Sequence, residues 1–309
     1  MLLFVALAGC RLGFDEHPDA AVEPLTPPVF TAQPNGATSI IYDLFIASAT
    51  DIYACGQEGL QRSSGDGTWA DIPVAASQYY WLWGSSSSSS DVYVAGNVNG
   101  IGDASLAHVV DGVATSQVTG LMRPISDGWS SSPADTYAVG YDGNIIHSDG
   151  SGTWITQPAG TTVRLTAIWA SGPDDLYVVG DGGTILHSTG DGAWTPQASG
   201  TVAKLIDVWG SGADDIYVVG YAGSILHSTG DGAWTRQPTE VPYDLYAIGG
   251  HRGKIYVVGR ADMVLLSRGD GAWTEFPLHA GASQVDAIVE LSPDSLYIAA
   301  TPGLLLHGS

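Results

Sequence analysis

A short apolar run centred on tyrosine returns along most of the chain: DIYACG (51–56), DVYVAG (91–96), DTYAVG (135–140), DLYVVG (175–180), DIYVVG (215–220), KIYVVG (254–259) and, degraded, SLYIAA (295–300). Its tyrosines, Tyr53, Tyr93, Tyr137, Tyr177, Tyr217, Tyr256 and Tyr297, stand 40, 44, 40, 40, 39 and 41 residues apart. Self-similarity at such a period marks a solenoid, a propeller or another array. The unit around Tyr217 splits into four runs, LIDVW, DIYVVG, SILHS and AWTRQ, each bounded by Gly, Asp, Ser or Pro. Runs rich in β-branched and aromatic residues between turn residues predict strands. Four short strands in about 40 residues make one propeller blade. A blade buries both faces against its neighbours, so its inner strands read nearly continuously apolar rather than alternating.

The two ends argue for a ring rather than an open solenoid. The last unit stops at Leu304-Leu305-Leu306-His307, a third strand with no fourth, while FTAQPNG at 30–36 matches the fourth-strand segment WTPQASG (194–200) and stands alone before the first blade. The predicted fold is therefore all-β, a seven-bladed β-propeller of four-stranded blades over residues 29–309, with the N-terminal strand completing the last blade. Closure would remove the exposed edges that invite aggregation.

Composition narrows the partners. Ten Lys+Arg against 32 Asp+Glu leave a formal charge of -22, which repels nucleic-acid phosphates, so no nucleic acid is expected. The 41 glycines and 14% charged residues describe a turn-rich chain short of helix surface. No apolar run reaches the ~18 residues of a membrane helix. The ring is expected to be a monomer.

The two cysteines differ. In MLLFVALAGC the stretch Leu7-Ala8-Gly9-Cys10 resembles the lipobox of bacterial lipoproteins. That resemblance implies a signal peptide at 1–9, a lipidated Cys10 at the mature N-terminus, and a place in the bacterial cell envelope, anchored in the periplasm or at the cell surface. Acyl chains contribute ~0.8 kcal/mol per buried CH₂, enough for two or three chains to hold a domain on a membrane. No basic residue precedes the apolar stretch, which departs from the usual signal. Residues 10–28, rich in Pro, Ala and acids, read as the lipidated Cys and a flexible tether. Cys55 replaces a Val of the sister repeats and reads as buried core.

Between third and fourth strands stand SSGDGTW (63–69), SDGSGTW (148–154), STGDGAW (188–194 and 228–234) and SRGDGAW (267–273). They resemble the Asp-box, or BNR repeat, of sialidase-like propellers, with the spacing shifted by one residue in most copies, and the whole repeat is similar to WD40/YVTN-like propellers. Asp-Gly suits a tight hairpin, and the Trp is expected to pin that hairpin to its blade. Asp51, Asp91, Asp135, Asp175 and Asp215 are expected to bond backbone amides before the Tyr strand. His108, His147, His187, His227 and His307 recur on the third strand, but on sheets ~10 Å apart they cannot share one ion, so packing or inter-blade hydrogen bonding is expected and no metal or cofactor.

Candidate chemistry sits where the blades differ, on the face shared by the blade-to-blade loops and the loops joining second and third strands. Arg123, Arg164 and Lys204 occupy nearly one position on blades 3, 4 and 5, three of the ten basic residues of an acidic chain; the grouping suits an anionic ligand, or else each base pairs with a nearby Asp. Tyr79, Tyr80 and Tyr243 add stacking surface, and the second-to-third loops supply Tyr141, Asp142, Asp181, Tyr221, Arg260 and Asp262. The Asp-box resemblance implies, as the sharper alternative, a sialidase-like glycoside hydrolase acting on carboxylated sugars. Arg123, Arg164 and Arg260 would then grip the carboxylate, Asp142, Asp181 or Asp262 would serve as acids, and Tyr141 or Tyr221 would lie nearby. That family's Phe/Tyr-Arg-Ile-Pro motif is absent. The expected function is a non-catalytic binding or assembly scaffold for a protein or an anionic glycan; a second variant of it resembles the photosystem-assembly propellers of the Ycf48 type, whose specific basic patch this sequence does not supply.

Overall fold

The computed structural model describes residues 30–32, 41–48, 50–57, 59–65, 68–74, 78–84, 91–98, 103–251, 253–260, 262–278, 281–282, 284–292, 295–301 and 304–308. The expected signal, Cys10 and tether lie outside the described residues, as does the Ser85–Ser90 run. The rest forms seven four-stranded antiparallel sheets, each with its strands in simple up-and-down order. Numbered from the N-terminus, blades 1 to 7 have inner strands Ile41–Ser48, Gln78–Gly84, Ile125–Ser132, Leu165–Gly172, Leu205–Gly212, Leu245–His251 and Gln284–Ser292. Each inner strand contacts those of the two adjacent blades, and blade 7 contacts blade 1, so the sheets form a closed ring. Phe30–Ala32 pairs with the third strand of blade 7, with Phe30 opposite Gly308 and Ala32 opposite Leu306. The chain is a seven-bladed β-propeller closed by its N-terminal strand.

The apolar strands lie in a core that runs between blades rather than within any one of them. One cluster joins Phe45, Tyr53 and Leu60 of blade 1 to Leu82, Val92 and Val94 of blade 2, and equivalent clusters follow around the ring. The inner-strand aromatics Trp83, Trp129 and Trp169 fill these junctions. Trp83 leaves so little room that a Cβ on Gly128 of blade 3 would stand 2.2 Å from its ring. Cys55 is 1% exposed, inside this core.

The repeated polar residues form two further ties. Asp135, Asp175 and Asp215 do not bond the turn amides; each carboxylate receives a serine hydroxyl at 2.5 Å (Ser131, Ser171, Ser211) and lies 2.8–2.9 Å from the Nε2 of His147, His187 or His227. The recurring His therefore pairs inside its own blade, not between blades, because cross-strand neighbours on one sheet are closer than equivalent residues of adjacent sheets. Each His stacks near the repeat tyrosine, 4.6 Å for Tyr177 and His187. The tyrosine meets the Trp of the next blade's hairpin edge-on: Tyr137 with Trp194, Tyr177 with Trp234, and Tyr217 with Trp273. The Trp thus pins its hairpin to the preceding blade as well as its own.

A second tie alternates around the ring. Asp43, Asp127 and Asp207, on the inner strands of blades 1, 3 and 5, are 0%, 0% and 2% exposed. Each accepts the amide of the next residue and that of the following blade: Leu82 to Asp43 at 2.6 Å, Ile168 to Asp127 at 2.8 Å, Ile248 to Asp207 at 3.0 Å. Blades 2, 4 and 6 carry Trp81, Ala167 and Ala247 at the matching register. Burial holds all three carboxyls well above the usual carboxylate range.

Two outcomes follow. Deleting residues 26–36 exposes an edge of blade 7 and is expected to lower stability by several kcal/mol, whereas deleting 11–25 leaves it unchanged; equal melting temperatures for the two truncations would contradict closure. Because the buried aspartates keep protons in the native state that an unfolded chain releases above about pH 4, stability falls as pH rises from there through their raised native values. Asp127→Asn is expected to flatten that fall in urea unfolding across the pH range. Asp127→Ala, which strands two buried amides, costs about 1–3 kcal/mol for each.

Candidate functional site

The loops between second and third strands lie against the starts of the inner strands, and a repeated backbone bond fixes them there. Tyr141 N donates to Pro124 O, Asp181 N to Arg164 O, Tyr221 N to Lys204 O, and Arg260 N to Asp244 O, at 2.8–3.2 Å. In blade 3 the loop turns through Gly143 at φ +69°, where a Cβ would stand 2.0 Å from Thr161 O, so only glycine lets it seat on the neighbouring blade-to-blade loop. These contacts build one continuous rim, the face on which the candidate residues were expected.

Blades 3 to 5 concentrate the charge. The Arg164 guanidinium lies 4.4 Å from the Tyr141 ring centre, and Arg123 approaches the same ring at 5.7 Å. Arg164 Nε donates to Ser126 Oγ at 3.1 Å, and among the described residues no carboxylate lies within ion-pair distance of it. With Nε bonded and Cζ over an aromatic ring, Arg164 can present its remaining donors to a carboxylate or phosphate at reduced ordering cost. Arg123 pairs with Asp142 at 3.4 Å, and both are more than half exposed. Such a pair contributes about 0–1 kcal/mol and is readily exchanged for a ligand.

Lys204 lies 5.6 Å from the Tyr221 ring centre and 3.5 Å from Asp181. Burial, then repulsion from Arg164, lowers its pKa despite Asp181. A groove of about 890 Å³ lies on the same face, bounded by Gly160, Thr161, Gly182, Gly183, Trp194 and Val202.

The other candidates separate. Arg123 precedes its inner strand by one residue more than Arg164 and Lys204 do, and Pro124 takes their register. Tyr80 pairs with Tyr42 of blade 1 at 4.9 Å between ring centres. Tyr243 is engaged through its hydroxyl by Glu275 Oε1. Asp262 accepts the Gly281 amide and shapes a turn, while Arg260 sits on blade 6, away from the ring shared by Arg123 and Arg164. The Tyr79 side chain lies outside the described residues. Sequence reading missed Tyr42, Ser126 and the three buried aspartates. Their signal is the phased triplet Tyr-Asp-Leu (42–44), Ser-Asp-Gly (126–128) and Ile-Asp-Val (206–208) on alternate blades.

No protein-family model matches the chain, and no curated protein matches it. Solved structures do. YCF48 bound to D1 peptide superposes with a TM-score of 0.72 at 17% identity, covering 92% of this chain and 96% of that one. The WD40 propeller domain of Doa1 gives 0.77 at 12%, covering 92% and 97%. A catalytically inactive virginiamycin B lyase from Staphylococcus aureus, with quinupristin, gives 0.77 at 13%, covering 90% and 98%. In fold the chain is a WD40-like seven-bladed propeller, a class that includes both binding modules and enzymes, so the fold does not choose between them.

Replacing Arg164 tests the site's construction. Arg164→Gln is expected to leave the melting temperature within a few degrees, since no carboxylate loses its partner, and to abolish any stabilisation of the protein by small carboxylates or phosphate seen in thermal-shift titration.

Proposed function

We propose that this chain is a non-catalytic, lipid-anchored binding or assembly module of the cell envelope, whose rim on blades 3 to 5 receives an anionic group of a protein partner. The observation that carries this reading is Arg164, lying over the Tyr141 ring, held by Ser126 and left without a carboxylate among the described residues, with Lys204 at the same register of the next blade. YCF48 with its D1 peptide, and the WD40 domains, supply the fold-level analogy for a binding role. The topology suits an anchor. Phe30 pairs opposite Gly308, at the end of a third strand that starts on the rim, so a tether leading into Phe30 arrives on the opposite face. With Cys10 at a membrane, the rim would face away from it.

An anionic glycan is the second reading, favoured by the Tyr42–Tyr80 pair on neighbouring inner strands, which offers sugar rings an aromatic surface. Thermal-shift titration separates the two. Acidic peptides are expected to stabilise the wild type but not Arg123→Ala/Arg164→Ala/Lys204→Ala; a ligand at 100 times its Kd adds about 2.7 kcal/mol. A shift confined to uronates, sialosides or sulfated glycans favours the glycan, and no shift with any anion contradicts the rim as an anion site. Cys10→Ser is expected to release the protein from the membrane fraction, and unchanged fractionation would contradict the anchor.

A further inference from the structure

Each propeller blade ends in an outer strand with an open edge, and six of the seven carry a feature that blunts it. The outer strand of blade 1, Trp69–Ile72, contains Asp71; that of blade 3, Ile155–Gln157, runs into Pro158; that of blade 4, Thr195–Gln197, contains Pro196. Blade 5 has only Thr235–Arg236, blade 6 carries Glu275 and Pro277, and the Phe30–Ala32 strand of blade 7 is three residues long. Short length, charge and proline are the usual defences against edge pairing. The outer strand of blade 2, Val113–Gln117, has none of them. Among the described residues it is the longest at five, and Val113 to Gly120 contains neither charge nor proline.

Its unpaired side can be specified. Asp111 and Gly112, at φ 50° and 77°, form a two-residue turn that joins it to the third strand, with Val110 opposite Val113. Such a hairpin closes on a pair that exchanges both backbone bonds, and the pairs then alternate. Val113, Thr115 and Gln117 therefore bond inward, and the N–H and C=O of Ala114 and Ser116 face outward. Val113 and Val118 are 68% and 86% exposed beside them. The edge is also less firmly tied to the next blade than those of blades 3 and 4. Gln157 and Gln197 accept the indole N–H of Trp194 and Trp234 at 2.9 and 2.7 Å, whereas Trp154, 9% exposed, has no acceptor among the described residues and Gln117 directs its amide to Thr115 O.

We infer that the outer strand of blade 2 is a docking edge for an extended, lysine- or arginine-bearing segment of a protein partner, which adds to the blade as a fifth antiparallel strand. Main-chain bonds to Ala114 and Ser116 would supply affinity. The charge selects the partner: the strand is neutral in a molecule of net charge -22, its turn carries exposed Asp111, the blade 3 loop nearest Gln117 carries exposed Asp149, and the Arg62 guanidinium that approaches the turn at Gly112 is held by Asp51 at 2.5 Å. A second copy of the chain would bring the same negative charge to the edge. This site is separate from the rim, and neither depends on the other.

The test uses the full chain in detergent and an acetylated, amidated probe, Lys-Val-Thr-Val-Thr-Val-Lys, with a Glu-ended version as control. Hydrogen exchange at the Ala114 and Ser116 amides is expected to slow about tenfold with the Lys-ended probe, equivalent to ~1.4 kcal/mol, and not with the Glu-ended one. Ser116→Pro removes an outward donor that the blade does not use, so it should keep the fold while abolishing the protection. Asp111→Asn, which leaves the strand intact, should weaken binding and its salt dependence. The inference is overturned if neither amide is protected, if Ser116→Pro binds the probe equally, or if protection without probe grows with protein concentration, which would make the occupant a second copy.

Discussion

Everything in this molecule depends on the fact that no blade can bury its own core. Each four-stranded sheet has two apolar faces, and each face is covered only by a neighbour, so stability accrues at junctions and is complete only when the last junction closes. That explains why the chain gives its first strand to its last blade, as Phe30–Ala32 does. It also explains the polar ties that cross junctions, the alternating aspartates and the Trp-on-Tyr contacts, which set how adjacent sheets meet without adding apolar surface.

The same constraint frees the loops. With most of the packing in the strands, the exposed side chains of the rim are not needed for the core, and the sequence there diverges from blade to blade. Arg164, Lys204, Tyr141 and Tyr221 sit on loops whose backbone is fixed by a bond repeated in every blade from 3 to 6. A rigid scaffold with variable side chains is the arrangement expected for recognition.

Much of the architecture was legible in sequence because the repeat is regular. The tyrosine period, the four runs per unit and the unmatched FTAQPNG segment predict blade number and closure, and the described part of that segment pairs as expected. Relations between repeats were less legible. The spacing of Asp175 and His187 does not say that they bond within one sheet, nor does STGDGAW say that Trp234 reaches the tyrosine of the blade before. The rim was legible as a grouping of bases but not as a mechanism. A one-residue offset gives Arg123 a different register from Arg164, and Tyr141, read as a loop residue that would lie near the reacting groups of a sialidase-like site, is the ring that both guanidinium groups approach. Tyr243, read as stacking surface, is engaged by Glu275, a residue 32 positions away that no local pattern connects to it.

The central functional claim is that Arg164 is held ready for an anion before any ligand arrives. Nitrogen-detected NMR of the arginine Nε–H groups addresses this directly in the free protein. The account predicts a slowly exchanging Arg164 Nε–H with hindered guanidinium rotation, shifting when an acidic peptide is added and changed by Ser126→Ala. An Arg164 signal averaged like that of an exposed arginine, with ligand-induced shifts elsewhere on the molecule, would contradict it.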